Sequence, residues 1–202
     1  PPLEYLQAAE HYSRMYLVDR WTLEQLIKWM SNHKEEVDKI DRFMLKLSGY
    51  SMNDDSLLAF IFEQAREHDI PVDKLCFELN ETSAIQNIED ATDFMHEMRS
   101  LGCEFTLSDF GTGQSSFEYL KQLPVNYVKI DHTFIDELVT SSADYAMVKS
   151  IHEIAHFMAK KTIAEQVNDT DTLDILRSIG IDLAMGGELL QAIPLDKLAQ
   201  RN

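Results

Sequence analysis

Cationic side chains are scarce in this chain: 18 Lys and Arg stand against 35 Asp and Glu, for a formal net charge of −17. Surfaces that bind nucleic acid or anionic lipid need basic patches, so a general affinity for either is excluded. A nucleotide ligand is not, because one site needs only a few local cations. Cysteine is scarcer still. Cys76 and Cys103 are the only two. Both lie in apolar, strand-like runs, which predicts buried thiols in a reducing compartment rather than a disulfide framework. No run approaches the ~18 apolar residues of a membrane span, and no signal-peptide pattern opens the chain. A cytoplasmic location is expected, free or as the cytoplasmic part of a membrane-anchored receptor. No G-x-G-x-x-G follows the first strand-like segment and no P-loop occurs, which removes the usual signatures of an open nucleotide-binding sheet.

What remains is a single domain of 202 residues with ordinary hydrophobic content, 45%, enough for a real core. Helical and strand-like segments alternate. Helical spacing of apolar residues covers Leu3 to Tyr12 and Met15 to Met30, with Trp21 and Trp29 read as packing residues. Asn53 is placed as the cap of a helix to Glu67 that buries Leu57, Leu58, Ile61 and Phe62. Further helices are expected over Ile88 to Leu101, Ser116 to Gln122, Tyr145 to Ala159 and Thr170 to Ile179. Strands are expected at Arg42 to Ser48, Lys74 to Asn80, Phe105 to Asp109, Asn126 to Asp131, Thr162 to Glu165 and Asp182 to Met185. Strands separated by helices call for a parallel sheet covered by helices.

Polar residues recur where those strands end: Glu78 with Asn80, Asp109, Lys129 with Asp131, and Glu165. Convergence of such groups at the carboxyl ends of successive strands is the pattern of a (β/α) barrel mouth. Six strands do not complete eight, so the first strands are expected to be missing from this stretch of chain. The segment Leu107-Ser108-Asp109-Phe110-Gly111-Thr112-Gly113-Gln114-Ser115-Ser116 is the densest in signal. It closes a strand with a carboxylate and turns through two glycines.

Phe77-Glu78-Leu79-Asn80-Glu81-Thr82, Ser108-Asp109-Phe110-Gly111-Thr112-Gly113, Val128-Lys129-Ile130-Asp131 and Ile163-Ala164-Glu165-Gln166-Val167 resemble the successive motifs of EAL domains. That family comprises bacterial cyclic-di-GMP phosphodiesterases and their degenerate relatives. The resemblance implies an EAL-type (β/α)8-like TIM barrel, seen over residues 1–202 as one partial domain. It also implies a two-metal hydrolysis, in which carboxylates hold two divalent cations that polarise the phosphate and activate water. Carried over by motif, Glu78, Asp109 and Glu165 match metal-site acids, Lys129 the catalytic lysine and Asp131 its strand-end neighbour. Glu78, Asp109, Lys129 and Asp131 would then form the ligand-binding set, with Lys129 and Glu165 as vestiges of the catalytic pair. Glu81 matches the anchor of the glycine-rich loop.

The departures from the family pattern are concordant. The Glu-Ala-Leu tripeptide is absent, with the leucine and arginine near it that grip the dinucleotide. Lys46 stands where a metal-binding asparagine is expected, Ser108 replaces the first aspartate of the Asp-Asp pair, Asn168 a glutamate, and Met185 a glutamine. A neutral hydroxyl does not substitute for a bridging carboxylate toward hard cations. The expectation is therefore a catalytically inactive signalling domain that holds no metal cofactor at this site and binds cyclic-di-GMP, a partner protein, or both. Lys46 is expected to supply the missing positive charge beside Glu78 or Asp109. The alternatives are an active Mg- or Mn-dependent phosphodiesterase yielding pGpG, and an interaction module that binds no nucleotide. Homodimerisation through the loop and helix 111–120, and fusion to other signalling domains, are implied by the family.

One further motif competes for attention. His152-Glu153-Ile154-Ala155-His156 spells H-E-x-x-H, a zinc-protease signature that works only with a third ligand and a cleft. Flanked by Val148, Ile151, Ala155 and Met158, it reads as an outer barrel helix instead.

Overall fold

The computed structural model describes residues 3–53, 55–112 and 117–198. Helices α1 (Leu3–His11), α2 (Met15–Asn32) and α3 (Lys34–Lys39) precede strand β1 (Phe43–Leu47). Then come α4 (Asp55–His68), β2 (Leu75–Asn80), α5 (Glu81–Gln86), α6 (Ile88–Ser100), β3 (Glu104–Phe110) and α7 (Phe117–Gln122). The chain continues through β4 (Tyr127–Ile130), α8 (His132–Asp136), α9 (Ser142–Phe157), β5 (Lys161–Ala164), α10 (Thr170–Ile179), β6 (Leu183–Ala184) and α11 (Leu195–Leu198). The strands form one sheet in the order β1-β2-β3-β4-β5-β6, with every pair parallel. Sequential parallel order with a helix between neighbours is the wall of an incomplete barrel, six strands of eight.

Alternation along each strand sorts the two faces of the sheet. Leu45 and Leu47, Phe77 and Leu79, Phe105 and Leu107, and Val128 and Ile130 join a core with Ile27, Met30, Ile61, Met95, Met98 and Ile151 of the helices. The intervening residues face the other way. Cys76, Tyr127 and Ile163 form a small separate apolar cluster there, and the polar strand-end residues stand beyond it. Stability and chemistry thus occupy opposite faces.

Buried polar groups pin the connections. Asp19 of α2 accepts from Ser48 N, Ser48 Oγ and Ser51 Oγ at 2.6–2.8 Å, fixing the turn after β1. Lys74 Nζ donates to the Val37 and Ile40 carbonyls that end α3, satisfying helix-end acceptors. Lys160 Nζ likewise holds the Leu123 and Val125 carbonyls, each at 3.0 Å.

Two packing expectations are corrected. Trp21 is 52% exposed, whereas Trp29 is buried against Phe43. The buried arc of α2 runs through Val18, Leu23, Leu26, Ile27 and Met30, and at 100° per residue Trp21 falls outside it. Phe62 is 47% exposed for the same reason: α4 turns Leu57, Phe60, Ile61 and Ala65 inward. The short helices α3, α5 and α8 carry too few apolar positions to register as periodic. The proposed cap at Asn53 falls in a 3-10 turn, Gly49–Asn53, one residue before a position outside the described residues.

Candidate functional site

Glu78, Asn80, Ser108, Asp109, Lys129, Asp131 and Glu165 converge at the carboxyl ends of β2 to β5. Lys129 is central. Its Nζ lies 2.9 Å from Glu78 Oε2 and 3.2 Å from Glu165 Oε2, and all three side chains are largely shielded from solvent. Burial pulls the Lys129 ammonium down, but the bonds and charges of Glu78 and Glu165 outweigh it, so its pKa lies above the ordinary lysine value. The lysine stays charged, bridging two acids from strands on either side.

Asp109 reaches the site through a backbone irregularity. Between Leu107 and Phe110 the β3–β4 register shifts, since Leu107 pairs with Val128 but Phe110 with Ile130. One extra residue on β3 is thereby accommodated, a β-bulge. Asp109 sits there with φ +56, a left-handed conformation that an aspartate tolerates better than most residues. Phe110 consequently joins the helix-facing core, and the Asp109 carboxylate turns to accept from Asn80 Nδ2. Asn80 is doubly employed. Its Oδ1 caps α5 by accepting from Thr82 N and Ser83 N.

Ser108 pairs in register with Asn80 and is 1% exposed. Its Oγ points to the Leu79 carbonyl at 3.5 Å. Glu81, also buried, accepts the Gly111 N–H on Oε2 at 3.1 Å, while its Oε1 has no partner among the described residues. Gly111 has φ +105, and a Cβ there would lie 2.8 Å from Phe134 Cε2. The turn is therefore closed to larger residues. Of the loop that follows, residues 113–116 lie outside the described residues. Asp131 accepts from Thr133 N and Oγ1 at 2.9 and 2.6 Å, capping α8.

The expected pairing of Lys46 does not form. Lys46 lies in register with Glu78, but it is exposed. Among the described residues the cation against Glu78 is Lys129. Once Lys129 neutralises Glu78, an exposed ammonium gains little by leaving water. Asn168 and Met185 are also exposed. The segment after β6 is held by Val167 N donating to Met185 O, and Gly186 is required where it passes, since a Cβ would meet Val167 O at 2.2 Å.

Sequence reasoning missed a second polar cluster at the opposite strand ends. Arg42 grips Glu104 with two bonds, 2.7 and 3.0 Å, and Tyr127 donates to Glu104 at 3.0 Å. The Arg42 bond holds the Glu104 carboxyl below its ordinary range, and burial pushes the Tyr127 phenol up to about 12. Nothing in linear spacing joins residues 42, 104 and 127; parallel pairing does.

Residues 1–192 match the family model described as the EAL domain. The chain belongs to the EAL domain family. As an EAL domain it is 36% identical over 194 residues to the cyclic di-GMP phosphodiesterase PdeB of Shewanella oneidensis, covering 96% of this chain and 22% of that protein. It therefore spans about a fifth of that relative's length. Its fold superposes on the PaMucR phosphodiesterase in complex with c-di-GMP with a TM-score of 0.90, 25% identity, and 98% and 80% of the two chains covered. The FimX EAL domain of Pseudomonas aeruginosa bound to c-di-GMP gives 0.83 at 26% identity, covering 92% and 74%. The α/β architecture, with its six parallel strands, is that of the EAL barrel.

Proposed function

We propose that this EAL domain is a signalling module that responds to cyclic-di-GMP without hydrolysing it. The observation that carries this reading is Ser108. At the strand-end position facing Asn80 it offers a neutral hydroxyl, buried against a backbone carbonyl, where two hard cations would need a shared anionic oxygen. Lys129 supports the reading, because its ammonium already neutralises Glu78 and Glu165. The donor set of Glu78, Asp109 and Glu165, with Lys46, Ser108, Asn168 and Met185 around it, suits a divalent pair poorly. A dinucleotide phosphate would be met by Lys129 and Lys46, with Asp109 and Asp131 as acceptors for its base or ribose donors. We further propose that the domain is cytoplasmic and pairs with a second copy through the 111–120 segment.

A second reading has its own support. Glu78, Asp109, Lys129 and Glu165 stand together at the mouth, and the relative at 36% identity is named a phosphodiesterase. Titration of the protein with cyclic-di-GMP, with and without Mg²⁺ or Mn²⁺, and quantification of pGpG separates the readings. Saturable binding with no linear product supports the sensor. Metal-dependent turnover supports the enzyme. Neither binding nor turnover leaves a protein-interaction module.

A further inference from the structure

At the end of the sheet opposite Lys129, the amino-terminal ends of β5 and β6 meet the last turns of α9. His152 and His156, one turn apart on that helix, lie with ring centroids 4.1 Å from each other and ring planes tilted by 47°. Asp182, just before β6, completes a triangle in which one ligand atom from each residue lies within 4.8 Å of the others. The third donor that H-E-x-x-H needs is thus present, supplied from far along the chain by strand order.

The hydrogen bonds around the triangle order it. Asp182 Oδ2 accepts from Thr162 N at 2.8 Å and from Thr162 Oγ1 at 3.0 Å. Since that hydroxyl spends its proton on Asp182, the 2.8 Å contact between His152 Nδ1 and Thr162 Oγ1 is donated by the imidazole. His152 is then protonated on Nδ1 and presents its lone pair on Nε2. Gly180 lies against that nitrogen; a Cβ there would stand 3.3 Å away. His156 Nε2 lies 2.8 Å from Asp182 Oδ2.

We propose that His152, His156 and Asp182 form a binding site for a divalent transition-metal ion, with zinc the best chemical match. Two imidazoles and one carboxylate are a common zinc donor set, with bonds of about 2.0–2.2 Å. Thr162 supplies the outer support that metal-bound histidine and carboxylate groups require. The metal replaces the proton between His156 and Asp182, which leaves to solvent, and water completes the coordination from the open side, where the His156 side chain is 44% exposed. The site is a clamp rather than a protease centre. Glu153, the would-be general base, is 65% exposed and faces Lys149 at 3.9 Å. The clamp ties α9 to β5 and β6, so zinc raises the stability of that end of the sheet by mass action.

The test uses ZnCl2 with EDTA-stripped protein, followed by calorimetry and thermal melting. One zinc per chain, micromolar or tighter, with a rise in Tm is expected. Removing a supporting partner of a metal ligand typically costs about 10- to 100-fold in affinity, so His156→Ala, which deletes a ligand from the partly exposed side, should lose at least that. Asp182→Asn should weaken binding too, and His132→Ala, at the exposed His132–Asp136 pair, should not. Absence of saturable zinc binding, or binding that survives His156→Ala unchanged in a folded variant, overturns the proposal.

Discussion

Glu81 and Gly111 are joined by one bond: the glutamate accepts the glycine N–H at 3.1 Å, tying the residue after β2 to the turn after β3. A charged acceptor buried for a single amide contributes about 1.5–3 kcal/mol. Glu81→Ala should lose that much in urea denaturation. Gly111→Ala should lose more than about 1 kcal/mol, from its positive φ and the Phe134 contact. An unchanged midpoint in both variants would show that the loop is held elsewhere.

Lys129 is expected to be the most costly single truncation at the mouth. Lys129→Met leaves Glu78 and Glu165 facing each other without their cation, and breaking such a buried pair costs about 3–5 kcal/mol. The double variant Lys129→Met with Glu78→Gln should recover part of the loss. Equilibrium unfolding of the two variants decides the matter; equal destabilisation would mean that the pair is not coupled.

Acid stability should carry a signature of Glu104. Its carboxyl is held low by Arg42, so the folded form binds its proton less readily than the unfolded chain does. The resulting stabilisation is complete above about pH 5, the upper edge of ordinary glutamate titration, and is lost as pH falls through the depressed folded value. Melting curves between pH 7 and 3 should fall less steeply for Glu104→Gln than for the parent protein. Parallel curves would refute the assignment.

Ser108→Asp returns a carboxylate to the mouth. Manganese binding by calorimetry should become tighter, while pGpG should still not appear, because Lys46, Asn168 and Met185 still depart from the family's metal-binding pattern. Turnover restored by this one substitution would make Ser108 the sole lesion.

Cys76 and Cys103 have thiols pushed up to about 12, chiefly by burial. Only the thiolate reacts. An aromatic disulfide reagent should therefore modify neither cysteine in the native protein at neutral pH, and both after denaturation. Rapid native labelling of either would contradict the packing described for β2 or for the entry to β3.

The sheet was legible because strands buried on both faces read as apolar runs, and because carboxylates punctuate their ends. Helix α6 was equally plain: of the apolar stripe its spacing predicts, Ala91, Phe94, Met95 and Met98 are buried, and Leu101, the residue that caps its end, is half-buried. Individual side chains were harder. Phe62 and Trp21 are apolar but lie off the buried arcs, which one residue of phase decides. The partner of Glu78 could not be read either. Lys46 and Lys129 are both strand-end lysines, and only three-dimensional approach separates the exposed one from the buried one. The bulge at Asp109 has no signature beyond the glycine that follows, although it sets which way the carboxylate points.

The division of the sheet into two faces bears on how such a domain changes over time. The positions read from the sequence as departures from the family's metal-binding pattern, 46, 108, 168 and 185, all lie outside the helix-packed core. Replacements at the exposed positions 46, 168 and 185 meet little resistance from packing, and only Ser108 is buried, so the same scaffold is free to change what its mouth holds while its folding problem stays fixed. Descent in this architecture therefore preserves shape more faithfully than occupation.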